Sequence, residues 1–240
     1  MIDARQTLEC FSVRKTLVLH LVPGALLTFA FLLAAPVLNR AGSSSYLTLL
    51  LCIPLILVPV EGGVLLVERR RIGFSWRSLT APRASPRLSI LESLLTVAAL
   101  YSTSMAATVL AAPARGVIFR AVVHWLPRWP VVDGLPEGIS PSTLWLGLVF
   151  SGLVAPIIEE VYFRGFLMPR IPAADVWAPA VNAALFSIYH FFAPWNYVSI
   201  FVAFLPLAYY VRLKGKLLPA IITHCLFNSV GIVVALVGLS

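Results

Sequence analysis

The sequence predicts an all-α, polytopic transmembrane helix bundle of about seven spans, and three observations carry that prediction. Hydrophobic residues make up 60% of the 240 and charged residues only 12%, where a soluble domain carries roughly 25% charged. So few charges cannot cover a surface in water, whereas a lipid bilayer accommodates such a composition. Seven apolar runs, at 16–38, 45–67, 88–112, 142–167, 176–193, 196–212 and 217–238, approach the ~20 residues that cross ~30 Å of hydrocarbon as a helix. Lys and Arg fall in clusters between these runs rather than along one polar face.

The first run follows Arg14 and Lys15, as a signal peptide would. Its apolar stretch is longer than the ~7–15 residues of such a segment, which favours a retained anchor. Pro23, Pro54 and Pro59 fall in the first two runs, where neighbouring helices can tolerate proline. Glu61 comes late in the second run, near the basic loop, and is expected at the interface. The longest connection is 113–141. Within it Val117 to Leu126 is expected to form a short amphipathic helix on the membrane surface, with Arg120 and His124 exposed. Trp125, Trp129 and Trp145 fit an interfacial aromatic belt. The fifth and sixth runs are short and joined by a tight Ala193-Pro194-Trp195 turn.

The net charge is +8. Arg5, Arg14, Lys15, the six arginines of 68–87, Arg164, Arg170, Arg212, Lys214 and Lys216 put 14 positive residues on one side, against Arg40, Arg115, Arg120 and Arg128 on the other. Positive residues mark the cytoplasmic face, so the N-terminus is expected inside. Such loops suit anionic lipid headgroups, and their placement argues against nucleic acid. Cys10, Cys52 and Cys225 lie far apart without C-x-x-C spacing, which suggests neither a disulfide framework nor a zinc–thiolate site.

Ionisable side chains inside spans are costly and point to function. The second half of the chain has three such groups: Glu159-Glu160-Val161-Tyr162-Phe163-Arg164, Phe186-Ser187-Ile188-Tyr189-His190, and His224-Cys225-Leu226-Phe227-Asn228. Glu160 and Arg164 are four apart, share a helix face and can pair. Glu159 is turned roughly 100° from that face and has no partner in its own helix, which suits a working base beside a structural Glu160–Arg164 pair. The blander alternative has both glutamates snorkelling near the helix end. His190 is either a hydrogen-bonded core histidine or a catalyst. His224 and Asn228, also four apart, could hold an anion or a metal. At ~1.5 Å per residue, Glu159 lies ~13 Å from the Arg170 side and His190 ~21 Å. On the same scale His224 and Asn228 lie ~12 and ~18 Å past Lys216. Four polar groups in one slab read as one intramembrane site.

The order Glu-Glu-x-x-x-Arg, Phe-x-x-x-His, His-x-x-x-Asn on successive apolar segments resembles the CPBP family of CAAX prenyl endopeptidases and bacteriocin-processing or self-immunity proteins. The resemblance covers roughly 142–235, within a catalytic helical core expected over 141–240. Residues 1–140, the N-terminal transmembrane helices and connecting surface helix, carry no recognised motif. It implies a glutamate-dependent intramembrane endopeptidase that acts on membrane-associated or lipidated protein substrates. Glu159 and His190 would activate water, His224 and Asn228 would stabilise the oxyanion, and Glu160, Arg164 and Phe186 would support them. No cofactor is favoured. Zinc on Glu159, His190 and His224 is the alternative, although the H-E-x-x-H spacing is absent. A proton-coupled transporter and a non-catalytic immunity or partner protein are the competing readings. The short loops fit a bacterial inner membrane.

Overall fold

The computed structural model describes residues 10–76, 79, 88–126 and 128–238. Among them the regular structure is helical: α1 (Val13–Arg40), α2 (Ser45–Ile72), α3 (Ile90–Trp125), α4 (Pro141–Arg170), α5 (Ala178–Tyr189), α6 (Pro194–Lys214) and α7 (Leu218–Gly238). All but α5 are long and apolar enough to cross a membrane. The polytopic bundle expected from the sequence is therefore present, but with six such helices rather than seven. At 12 residues, α5 rises only ~18 Å. Pro179 lies in its first turn, where the missing N–H is no loss. The helix ends at His190, which leaves helical geometry at φ −77°, ψ 51°. The remaining apolar residues of the fifth run form the turn into α6. Together α5 and α6 make a closely packed hairpin.

A second expectation fails at 117–126. Residues 117–125 are no separate surface helix but the last turns of α3, a single helix of 36 residues that Leu126 caps. Proline 113 lies inside it without ending it, because neighbouring helices can support a helix whose own ladder is interrupted. Phe119 meets Trp195 edge-on at 5.5 Å, and the Arg115 Nε–H donates to Asn196 Oδ1 at 2.8 Å. These contacts hold the upper part of α3 against the start of α6. At its other end α3 has a capping box. Ser89 Oγ accepts from the Glu92 amide and Glu92 Oε2 from the Ser89 amide, which satisfies two otherwise unpaired donors.

The connection after α3 folds back over the α5–α6 turn. The Trp129 indole N–H donates to the Phe192 carbonyl at 3.0 Å, so this tryptophan is engaged with the protein, while Trp125 and Trp145 stay exposed. Asp133 pairs with Arg115.

The bundle faces outward with apolar side chains, and its largely apolar interior also holds ionisable and amide groups. Leu110 is 82% exposed and Phe29 64%, as residues facing lipid should be. His20, Glu61, Glu159, Glu160, Arg164, Asn182 and His224 are all buried. Two expectations change with this. Glu61 is not interfacial: its exposure is 0%, because α2 turns it toward α4 and α5. Arg164 and Arg170 are not loop charges. Both are buried, Arg164 beside Glu160 and Arg170 donating to the Phe166 carbonyl at 2.7 Å. Of the remaining basic loop residues, Arg5, Arg77, Arg83 and Arg87 lie outside the described residues.

One close approach sets where α1 crosses the end of α5. A Cβ on Gly24 would overlap the Tyr189 carbonyl. Only glycine permits this crossing, and it brings α1 against the residue that precedes His190.

Candidate active site

The site begins with irregularity in α4. The helix loosens to π-helical geometry over Leu148–Val154 and again over Glu160–Leu167, and such turns recur at functional sites. Proline 156 accounts for part of the first. It has no N–H, so the carbonyls four and five residues before it lose a donor. Those carbonyls belong to Gly152 and Ser151, and α7 supplies the replacements. Asn228 Nδ2 donates to the Ser151 carbonyl at 3.0 Å and Ser229 Oγ to that of Gly152 at 3.3 Å. The proline thus docks α7 on α4 and fixes the Asn228 amide, leaving it one further N–H.

The two adjacent glutamates face different surroundings. Glu160 Oε1 lies 3.2 Å from Arg164 Nη1 and 3.0 Å from His224 Nδ1. The Arg164 guanidinium sits 4.0 Å from the Phe186 ring centre and 5.3 Å from that of Phe204, so ring faces add to its stabilisation. Phe186 meets His190 edge-on at 4.9 Å and its carbonyl accepts from His190 Nδ1 at 2.8 Å. A carbonyl only accepts, so Nδ1 carries the hydrogen and His190 Nε2 is left as an acceptor. Glu159 Oε1 lies 3.2 Å from the Tyr189 hydroxyl, and Glu159 Oε2 lies 3.8 Å from His224 Nε2. The His224 ring thus stands between the two carboxyls.

Glu159, His190, His224 and Asn228 all border one cavity of about 490 Å³. Its other walls are mainly apolar, with Leu27 of α1, Ile53 and Leu57 of α2, and Phe227 of α7 among them. Val132, Gly134 and Leu135 of the connection after α3 close one side. Glu160, Arg164 and Phe186 stand behind this surface and do not border it. A basic carboxyl, an imidazole acceptor nitrogen and two donors around one space can take a proton from water and stabilise a developing oxyanion. The alternative zinc set fits less well. Among the described residues no three His, Cys, Asp or Glu side chains are grouped to hold a metal, and His224 Nδ1 is engaged with Glu160.

Three site features escaped the sequence reading. Glu61 Oε1 lies 3.1 Å from the Tyr189 hydroxyl, so α2 contributes a carboxyl to the cluster. Its position in an apolar run was the signal. Tyr189 is the link between Glu61 and Glu159, and nothing local distinguished it from a packing residue. His20 is the third: its Nδ1 donates to the Thr16 carbonyl at 2.8 Å and its Nε2 accepts from Asn182 Nδ2 at 3.2 Å. Asn182 also donates to the Phe163 carbonyl at 3.0 Å. This chain of bonds joins α1, α5 and α4 behind the site.

No curated protein and no solved structure matches the chain. A family match exists over residues 141–230, well under half of the chain, with the family described as type II CAAX prenyl endopeptidase, Rce1-like. That segment holds Glu159, His190, His224 and Asn228 together with Glu160, Arg164 and Phe186. Over residues 141–230 this membrane-type helical chain is therefore similar to the Rce1-like type II CAAX prenyl endopeptidases.

Proposed function

We propose that the protein is an intramembrane endopeptidase that hydrolyses peptide bonds near the C-terminus of membrane-associated or lipidated proteins. The observation that carries this reading is the grouping of Glu159, His190, His224 and Asn228 around one largely apolar cavity. In this reading Glu159 and the free Nε2 of His190 hold a water and take its proton as it attacks the scissile carbonyl. The developing oxyanion is met by the remaining Asn228 N–H and by His224, protonated at Nε2 while Glu160 accepts from Nδ1. Glu160 and Arg164 keep that imidazole oriented. No step is routed through a metal. Apolar walls suit a substrate segment that arrives from lipid, whose transfer into the cavity needs little desolvation. The catalytic unit is 141–240, and 1–140 supplies its surround.

This reading includes a cytoplasmic N-terminus, which the basic loops support, and a location in a bacterial inner membrane. Since α5 and α6 form a hairpin that returns to one face, the C-terminus lies on the opposite side.

The test is cleavage of a fluorogenic peptide ending in farnesyl-cysteine and three apolar residues, by protein in lipid vesicles. Glu159→Ala and His190→Ala should each abolish it while membrane insertion persists. Full activity in both variants overturns the reading. Uncleaved precursors accumulating in membranes of Glu159→Ala cells would identify the natural substrates.

A further inference from the structure

The Tyr189 hydroxyl lies between two buried carboxyls, Glu61 on α2 and Glu159 on α4, at 3.1 and 3.2 Å. All three side chains are buried. A phenol has one proton to donate. It cannot donate to two carboxylates at once, so the second contact requires a proton on one of the carboxyls. Two carboxylates about a single phenol, with no lysine or arginine among the described residues paired to either, would otherwise repel in a medium of low dielectric. Glu61 Oε2 has no hydrogen-bond partner among the described residues, so Tyr189 is its tether to the site.

We propose that Glu61 is a positioning residue of this site, which holds Tyr189 and through it the Glu159 carboxyl in a chain that shares one proton between the two glutamates. It lies outside the family-matched segment, on a helix with no recognised motif. The arrangement rests on the peptidase reading for its purpose but not for its existence. The chain points one Glu159 oxygen at Tyr189 and leaves the other toward His224 and the cavity. It thereby fixes which oxygen faces the attacking water. A carboxyl free to rotate about its side chain would lose that alignment.

Two measurements on the full-length protein in lipid vesicles decide the matter. In infrared spectra, the wild type should show the carbonyl stretch of a neutral, buried carboxylic acid. Tyr189→Phe should move that band. Glu61→Gln should remove it, because the Gln amide can donate to the Tyr189 oxygen and the shared proton is no longer needed. Absence of any Tyr189-sensitive band overturns the proposal, whatever the catalytic results. In cleavage of the farnesylated reporter, Glu61→Leu should lower kcat about 10- to 100-fold with KM changed less than about twofold. Glu61→Gln should recover most of that loss, which a purely space-filling role would not produce. Should Glu61→Leu fail to fold, Tyr189→Phe takes its place with the same expected drop in kcat. Wild-type kcat in the variant measured overturns the positioning role. If Glu159→Ala cleaves as well as wild type, the peptidase reading fails, and the infrared result still decides whether the carboxyl chain exists.

Discussion

Glu159 and Glu160 are neighbours in sequence, yet they belong to two different regions of the interior. On the Glu160 side the carboxyl meets a guanidinium and an imidazole, and ring faces enclose the cation. Charge is balanced there and the geometry is closed. On the Glu159 side there is a phenol, a second carboxyl and a cavity. No arginine or lysine among the described residues pairs with Glu159, and one oxygen, 3.8 Å from His224 Nε2, has room for a water or a substrate. A buried ion pair contributes little net stability but is costly to break. A buried carboxyl next to a cavity is available for proton transfer. The contrast teaches that two adjacent acids can be given separate tasks by the helices they face.

The largest effect should come from removing the working side. Glu159→Ala should cut reporter cleavage by roughly 10³-fold or more, with thermal unfolding in detergent close to wild type. If its unfolding falls as far as that of an Arg164 variant, the two regions are not distinct. The structural side should break in the opposite way. Arg164→Leu leaves Glu160 buried without its cation, and should lose about 3–5 kcal/mol of stability, seen as early unfolding or poor yield. A stable but inactive Arg164→Leu would move that residue into the chemistry.

Asn228→Ala should lower kcat by about 10²-fold with little change in KM. It also strips the Ser151 carbonyl of its donor. Pro156→Ala separates these roles, since it returns an N–H to α4 and leaves Asn228 itself intact. We expect Pro156→Ala to keep or raise stability and lower activity by about 10-fold, as the π-turn tightens and Glu159 shifts. Unchanged activity would show that α4's irregularity does not set the site. The smallest effect is expected at the periphery. Trp129→Phe removes the hydrogen bond to the Phe192 carbonyl, worth about 1 kcal/mol, and should change cleavage less than about threefold.

Much of this was legible in the chain alone. The spans followed from composition and run length, because lipid selects apolar side chains residue by residue. The Glu160–Arg164 pairing followed from four-residue spacing, a property of one helix. Glu159, His190, His224 and Asn228, which border the cavity, stood out because each is an ionisable or amide group in an apolar run. The misreadings were also physical. Residues 176–193 are apolar enough to suggest a span, but composition does not say where a helix turns, and His190 turns it. The third run was bounded at 112 with a separate helix expected from 117, but α3 continues through Pro113, since a helix interrupted in its own ladder can be supported by its neighbours. Arg164 and Arg170 were counted with the loops because charge alone does not say whether a side chain points into the bundle.

The sequence by itself determined the solvent of this protein, its helical class and the polar residue types inside its bundle, since each depends on local composition or on spacing within one helix. Only the tertiary structure decided which of those residues meet. Glu61 and Tyr189 are 128 positions apart, and Glu160 and His224 are 64 apart. Such pairs form because an unpaired polar group inside a bundle is expensive and finds whatever partner helix packing presents. That packing is set by close crossings such as Gly24 against Tyr189 and by carbonyls such as those freed by Pro156. It is a property of surfaces in contact, which a linear chain does not display.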